Sequence, residues 1–351
     1  MKIQHTTLTP YTLPLQQQWR SRQQDLSVRS GWLLELEDTN GTRGYGDCAP
    51  LPSHGTETGE KALATLESIV PRLAGIHVAD CLEMLPDAKP NPAARCALET
   101  ALLDLEAQQQ NIPLHQHLNP GVRSEVRVNA VIGSLSERSS DLATTAIEHG
   151  YSLLKLKVGI TEPQHELELL RRLCADLPPS IRLRLDANRA WDHATTQSFL
   201  DNIQDLPIES LEEPLSRPDI QLLAQIQEGT DITLALDETV AGMDADKLSQ
   251  FHSLRRIILK PMVLGGILPS LNLGQNARKL GIEVVVTTTL DSAAGVWAAT
   301  HLAAALDTEG RLCHGVGTSE WLRRDLGTGP HIQSGTITIP KTPGLGFRPY
   351  P

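Results

Sequence analysis

Aromatic side chains are scarce, at 3% of the 351 residues. That leaves too few rings for a base-stacking platform or for the interfacial belts of a membrane protein. Positive charge is in deficit as well, with 31 Lys and Arg against 42 Asp and Glu and a formal net charge of −11. This balance argues against nucleic acid or an anionic membrane as the main partner, and leaves room for a local basic pocket that takes an acidic small molecule. Long apolar runs are missing: the stretch from Ala293 to Leu306 contains His301 and falls short of the ~20 residues that cross a bilayer. The opening MKIQHTTLTP lacks the apolar core of a secretory signal. Five cysteines, odd in number and without CxxC spacing, read as reduced thiols and not as a zinc site. A cytoplasmic protein is the expectation.

What is present is an ordinary globular composition, 40% apolar and 21% charged. Residues 25–38 and 41–48 read as a hairpin turning at Asn40-Gly41, a dipeptide that favours φ > 0 turns. Helical periodicity follows over 57–73 and 92–109, the second opening on a proline. Strands before helices predict a separate α+β unit. From about residue 124 the rhythm changes. VRVNAVI, LLKLKV, IRLRLD, SLEEP, TLALDE, RIILKP, EVVVTTT and LCHGVGT recur with helix-like segments between most of them. That alternation predicts an α/β fold, a modified TIM barrel of (β/α)7β type. The expected organisation is an N-terminal capping domain over 1–120, a barrel over 121–320, and a segment over 321–351 that returns to the cap.

Charge sits where barrel strands are normally apolar on both faces. Side chains alternate along a strand. Leu154, Leu156 and Val158 therefore share one face of LLKLKV, and Lys155 and Lys157 the other. In IRLRLD, Leu183 and Leu185 oppose Arg184 and Asp186. The same parity selects Glu212 over Glu213, Asp237 over Glu238, and Lys260 opposite Leu259. If the leucines pack on the outer helices, five consecutive strands deliver Lys157, Asp186, Glu212, Asp237 and Lys260 toward their C-terminal ends, where such barrels carry their sites. One inward lysine or aspartate is usually a structural ion pair; five in succession are not. Three carboxylates buried together need a counter-charge, and an all-oxygen set suits Mg²⁺, with Mn²⁺ as a substitute. A cation so held and a lysine on either flank fit removal of a proton next to a carboxylate.

These residues resemble the enolase superfamily, and within it the muconate-lactonizing subgroup. Lys155-Leu156-Lys157 matches its KxK motif, Asp186-Ala187-Asn188 its DxN, Glu212-Glu213-Pro214 its E[EQ]P, Asp237-Glu238 its DE, and Lys260-Pro261 its sixth-strand lysine. The resemblance extends over nearly the whole chain, including GYGDCAPLP. It implies a metal held by Asp186, Glu212 and Asp237, an acid/base pair of Lys157 and Lys260, a tuning role for Lys155 and a supporting one for Asn188.

Within the subgroup, the run from KPMVLGG to ATHLAAAL, HGVGT and PGLGF look most like the branch that dehydrates a cyclohexadiene carboxylate bearing a succinyl arm. On that likeness the partner is a small carboxylate, with Arg20, Arg22, Thr289 and Ser292 as candidates to bind it. Capping loops over 15–25 and 50–58 are expected to close the site. Asp47, where relatives often carry Glu, is expected to be a small structural variation. Racemases, dipeptide epimerases and cycloisomerases of the same superfamily are the alternatives, although the eighth strand lacks the paired aspartates of the epimerases. A Schiff-base lyase and a non-catalytic binding barrel are remoter.

Overall fold

A computed structural model of the chain describes residues 1–20, 25–250 and 253–351. The N-terminal part is an antiparallel sheet of β1 (Ile3–Arg20), β2 (Asp25–Asp38) and β3 (Arg43–Cys48). Gly41 turns the β2–β3 hairpin at φ +78°, and the Asp38 carboxylate accepts from the Asn40 and Thr42 amides at 2.6 and 2.9 Å. The helix Pro92–Gln109 lies directly on β3. Gly44 and Gly46 make that approach possible, since a Cβ at either would overlap the carbonyl of Ala101 or Ala97.

The remainder is built on a seven-stranded parallel sheet. Its order is β5 (Ala130–Ser134), β6 (Leu153–Lys157), β7 (Arg182–Asp186), β8 (Ile208–Glu212), β9 (Thr233–Leu236), β10 (Arg256–Leu259) and β11 (Glu283–Val286). The expected first barrel strand is divided at Asn129. Its first half, β4 (Glu125–Val128), leaves the parallel sheet and pairs with β12 (Cys313–His314) and β14 (Thr336–Thr338), which in turn pairs with β13 (Ile332–Gln333). The Asn129 amide donating to the His314 carbonyl at 3.0 Å, and a Thr287–Gly315 bridge, carry the sheet round toward closure. The architecture is a modified TIM barrel with a capping domain.

The leucine parity holds through the strands. Leu154, Leu156, Leu183, Leu185, Leu211, Leu234, Leu236, Ile257 and Leu259 are all buried in the core. On the opposite face, Arg184 and Arg256 both pair with Glu209, and Arg256 also with Glu283, so the inward charges low in the barrel neutralise one another. The C-terminal segment meets the N-terminal unit. Asp104 accepts from the Leu345 amide at 2.7 Å and from that of Tyr45 at 3.0 Å, and Phe347 meets the Tyr45 ring edge-on at 5.3 Å. Among the described residues no helix is long and apolar enough to cross a membrane.

Candidate active site

Register and strand length together place the charged residues. Lys157 stands beside Asp186, and Asp186 beside Glu212, in successive parallel pairs. β9 and β10 end at Leu236 and Leu259, so Asp237 and Lys260 project from the first residues beyond them. All five line one cavity at the C-terminal ends of the strands, together with Lys155 and Asn188. The strand order sets Lys157 and Lys260 on opposite flanks of the three carboxylates.

The lysines differ in their partners. Lys157 is buried and donates to the amide oxygen of Asn188 at 2.7 Å, and its Nζ lies 5.1 Å from the centroid of the Trp19 ring. Burial lowers its pKa; Lys155 and Lys260 push the same way, against Asp186. Lys260 instead pairs closely with Asp237. Burial alone would lower it, but Asp237, Glu238 and Glu212 outweigh that cost and raise it. Lys155 bridges two carboxylates, at 2.7 Å from Glu212 and 3.0 Å from Asp186, and is raised by them in spite of its burial.

Asn188 ties the two halves of the site. At φ +42°, a conformation Asn tolerates better than most residues, its amide N–H donates to Asp186 at 3.1 Å and its side-chain nitrogen to Glu238 at 3.1 Å. Strand parity was expected to turn Glu238 away. It does not, because alternation ends with β9 and Glu238 opens a 3₁₀ turn over Glu238–Gly242. Burial and Asp237 then push the Glu238 carboxyl up to about 7.

A cation fits this donor set. Asp186, Glu212 and Asp237 offer only carboxylate oxygens, the ligands hard divalent ions take. Glu212 Oε1 is buried with no hydrogen-bond partner among the described residues. Burial, followed by the Asp186 charge, pushes the Glu212 carboxyl up to about 8, so the three lysines leave the cluster short of positive charge. As the side chains lie, no three acidic, histidine or cysteine groups among the described residues enclose a metal position. Lys155 stands between Asp186 and Glu212, and Lys260 holds Asp237. Loading an ion therefore requires these ammonium groups to give way.

The expected substrate contacts fare unevenly. Thr289 lines the cavity, with its hydroxyl donating to Asp291. Ser292 does not line it: its amide and hydroxyl both donate to Asp47 at 2.8 Å. Asp47 also accepts from Tyr11 at 2.6 Å, so this aspartate fastens the N-terminal sheet to the seventh-strand loop. Arg22 lies outside the described residues, and of Arg20 only the backbone, at the end of β1, is described. Trp19, Leu51 and His54 reach the cavity from the two capping loops, and burial, with Lys260 next, lowers His54 to about 3. Neither Trp19 nor His54 carried a periodicity or motif that singled it out in the sequence.

Residues 138–351 match the family described as Enolase C-terminal domain-like, and residues 3–88 match the one described as MenC, N-terminal domain. An o-succinylbenzoate synthase of Thermosynechococcus vestitus is 32% identical over 235 residues, 66% of this chain and 67% of the relative. The solved N-succinyl Arg/Lys racemase from Bacillus cereus superposes with a TM-score of 0.89 at 25% identity, covering 100% of this chain and 96% of that one. A dipeptide epimerase from Enterococcus faecalis, solved with Mg and the dipeptide L-Leu-L-Tyr, gives a TM-score of 0.89 at 25% identity over 99% of each chain. The family match spans well over half of the chain, and the barrel, the cap and the cavity between them agree with it: this protein belongs to the enolase superfamily.

Proposed function

We propose that the protein is an o-succinylbenzoate synthase of menaquinone or phylloquinone biosynthesis, a Mg²⁺-dependent lyase. It would dehydrate 2-succinyl-6-hydroxy-2,4-cyclohexadiene-1-carboxylate to 2-succinylbenzoate. The unequal partnering of the two lysines carries this reading. A syn elimination needs one base that takes the α-proton and, on the same face, returns it to the departing hydroxyl. Lys157, buried and resting on a neutral amide, suits that cycle. Its free amine takes the proton, the C–H electrons form the ring double bond, and hydroxide leaves as water with the proton that Lys157 gives back. Lys260, paired with a carboxylate on the other flank, stays an ammonium and supplies charge. A divalent ion held by Asp186, Glu212 and Asp237 would supply positive charge against the substrate carboxylate as the α-carbon loses its proton.

The residues after the eighth strand favour an acid over an amine as substrate. Gly315 and Thr318 face the cavity there, while Glu320, the next carboxylate along the chain, meets Tyr151 at 3.4 Å instead. The match of residues 3–88 to the MenC, N-terminal domain model and the likeness to a synthase support the same assignment. N-succinylamino acid racemisation is the second reading, since a lysine stands on each flank, as two-base proton exchange requires. The test is direct assay of the dehydration substrate by the ultraviolet absorbance of the aromatic product. Turnover is expected with Mg²⁺ and its loss with EDTA; no aromatic product in saturating Mg²⁺ overturns the synthase reading. Deuterium uptake into an N-succinylamino acid in D₂O reports the second activity.

A further inference from the structure

A second cavity opens beside Lys157. It shares Lys157 and Trp19 with the main site and runs outward between the end of β5 and Trp321. Its walls are suited to a short carbon chain: Ile132 and Leu142 are apolar, and Trp19 and Trp321 meet edge-to-face with centroids 4.6 Å apart. The space beside Gly133 is empty, since a Cβ there would meet only Trp321, at 3.9 Å. Its lining also includes a cation, Arg138, on the turn before the helix Ser139–Glu148. The neighbouring carboxylate, Glu137, is taken by Arg172 at 2.9 Å, and among the described residues Arg138 forms no ion pair. Ser134 and Ser136 add polar groups along the same wall.

A passage with apolar side chains and rings along part of its wall and a guanidinium and hydroxyls along the rest, starting at the amine that would move the proton, has the polarity of a side arm ending in an acid. We propose that this lobe binds the second carboxylate of the substrate and that Arg138 is the residue that selects for it. The proposal rests on the synthase reading in that it takes the substrate to carry such an arm. A guanidinium pairs with a carboxylate through directed, charge-assisted hydrogen bonds, and at an exposed position such as that of Arg138 one such contact amounts to about fivefold in affinity.

The test compares two ligands by isothermal titration in Mg²⁺. One is 2-succinylbenzoate. The other is 2-butanoylbenzoate, whose arm has the same length and ends in a methyl group. The wild type is expected to bind the succinyl compound about fivefold more tightly. Arg138→Met is expected to bind both alike, with the butanoyl constant unchanged, and Arg138→Lys to keep part of the preference. Thermal melts of both variants verify that they fold. If Arg138→Met keeps the wild-type preference, the assignment of Arg138 is overturned while the synthase reading stands. If the wild type binds neither ligand, both fall together.

Discussion

Replacing Lys155 by Met separates the electrostatics of the site from its chemistry. The Lys155 ammonium lies between Glu212 and Asp186 at 2.7 and 3.0 Å, and both carboxylates are buried. Removing one member of a buried ion pair costs on the order of 3–5 kcal/mol, because the remaining charge is left without compensation. Part of that cost can be relieved. Glu212 is already pushed up to about 8, so below that pH it is neutral and Lys155 faces only Asp186. Losing the lysine should therefore cost about 3 kcal/mol at pH 9 and less at pH 6. With an unfolding entropy of ~2.1 cal/mol/K per residue, 3 kcal/mol in a chain of this length lowers Tm by about 4 °C. On the proposed reading, a Mg²⁺ ion bound by these carboxylates would supply the missing positive charge. At a hundred times its dissociation constant such an ion would add ~2.7 kcal/mol to either protein, and the variant should gain at least as much as the wild type. Melting curves in EDTA and in Mg²⁺, at pH 6 and pH 9, measure all four quantities. A variant that melts with the wild type in EDTA at pH 9, or one whose deficit is larger at pH 6, would refute the account of Lys155 as the counter-charge of these carboxylates.

Two further outcomes follow from the same contacts. Lys157→Ala should lower turnover by at least ~100-fold, the scale of a lost general base, while keeping the Mg²⁺-induced rise in Tm, because Lys157 donates to Asn188 and not to a carboxylate; retained turnover removes it as the base. Asp104, which joins the C-terminal segment to the N-terminal unit, is raised by burial from 3.8 to about 6. A raised carboxyl stabilises the fold fully below its unfolded pKa and loses that contribution as pH climbs through its folded one. Between pH 4 and pH 8 the stability of Asp104→Asn should therefore improve relative to wild type by up to about 3 kcal/mol, at 1.36 kcal/mol per unit; a difference that stays flat with pH refutes a buried, ionising Asp104.

Much of this site is legible in the sequence wherever a side chain lies within a strand. Lys155, Lys157, Asp186 and Glu212 lie within β6, β7 and β8, so alternation alone separates them from the leucines that pack outward. The rule loses its hold one residue past a strand. Asp237 follows β9 and keeps the expected direction, but Glu238 turns with the 3₁₀ segment and comes back to Asn188. Ser292 escaped for another reason. It immediately precedes the helix Ala293–Leu306 without capping it and lies close to the cavity in sequence, yet Asp47, 245 residues away, claims both its amide and its hydroxyl. Contacts of that range leave no periodic trace.

The inequality of the two lysines is the feature the motif least reveals, since both read as one inward cation after a run of apolar residues. It arises from where each strand stops. Lys157 is the last residue of β6, in register with Asp186, but Asp186 is already held by Lys155. Asn188, two residues on and in a left-handed turn, offers its amide oxygen to Lys157 instead. Lys260 stands one residue beyond β10, where Asp237 has also just left β9, and nothing separates the two. The identity of the neighbour, amide or carboxylate, then decides which amine gives up its proton more readily. Exchanging Asn188 for Asp would put a carboxylate beside each lysine, and the structure implies that Lys157 would then be held charged as Lys260 is. The pH at which turnover rises should move upward in Asn188→Asp; an unmoved profile would mean that burial alone, and not the neutral amide, sets the readiness of Lys157.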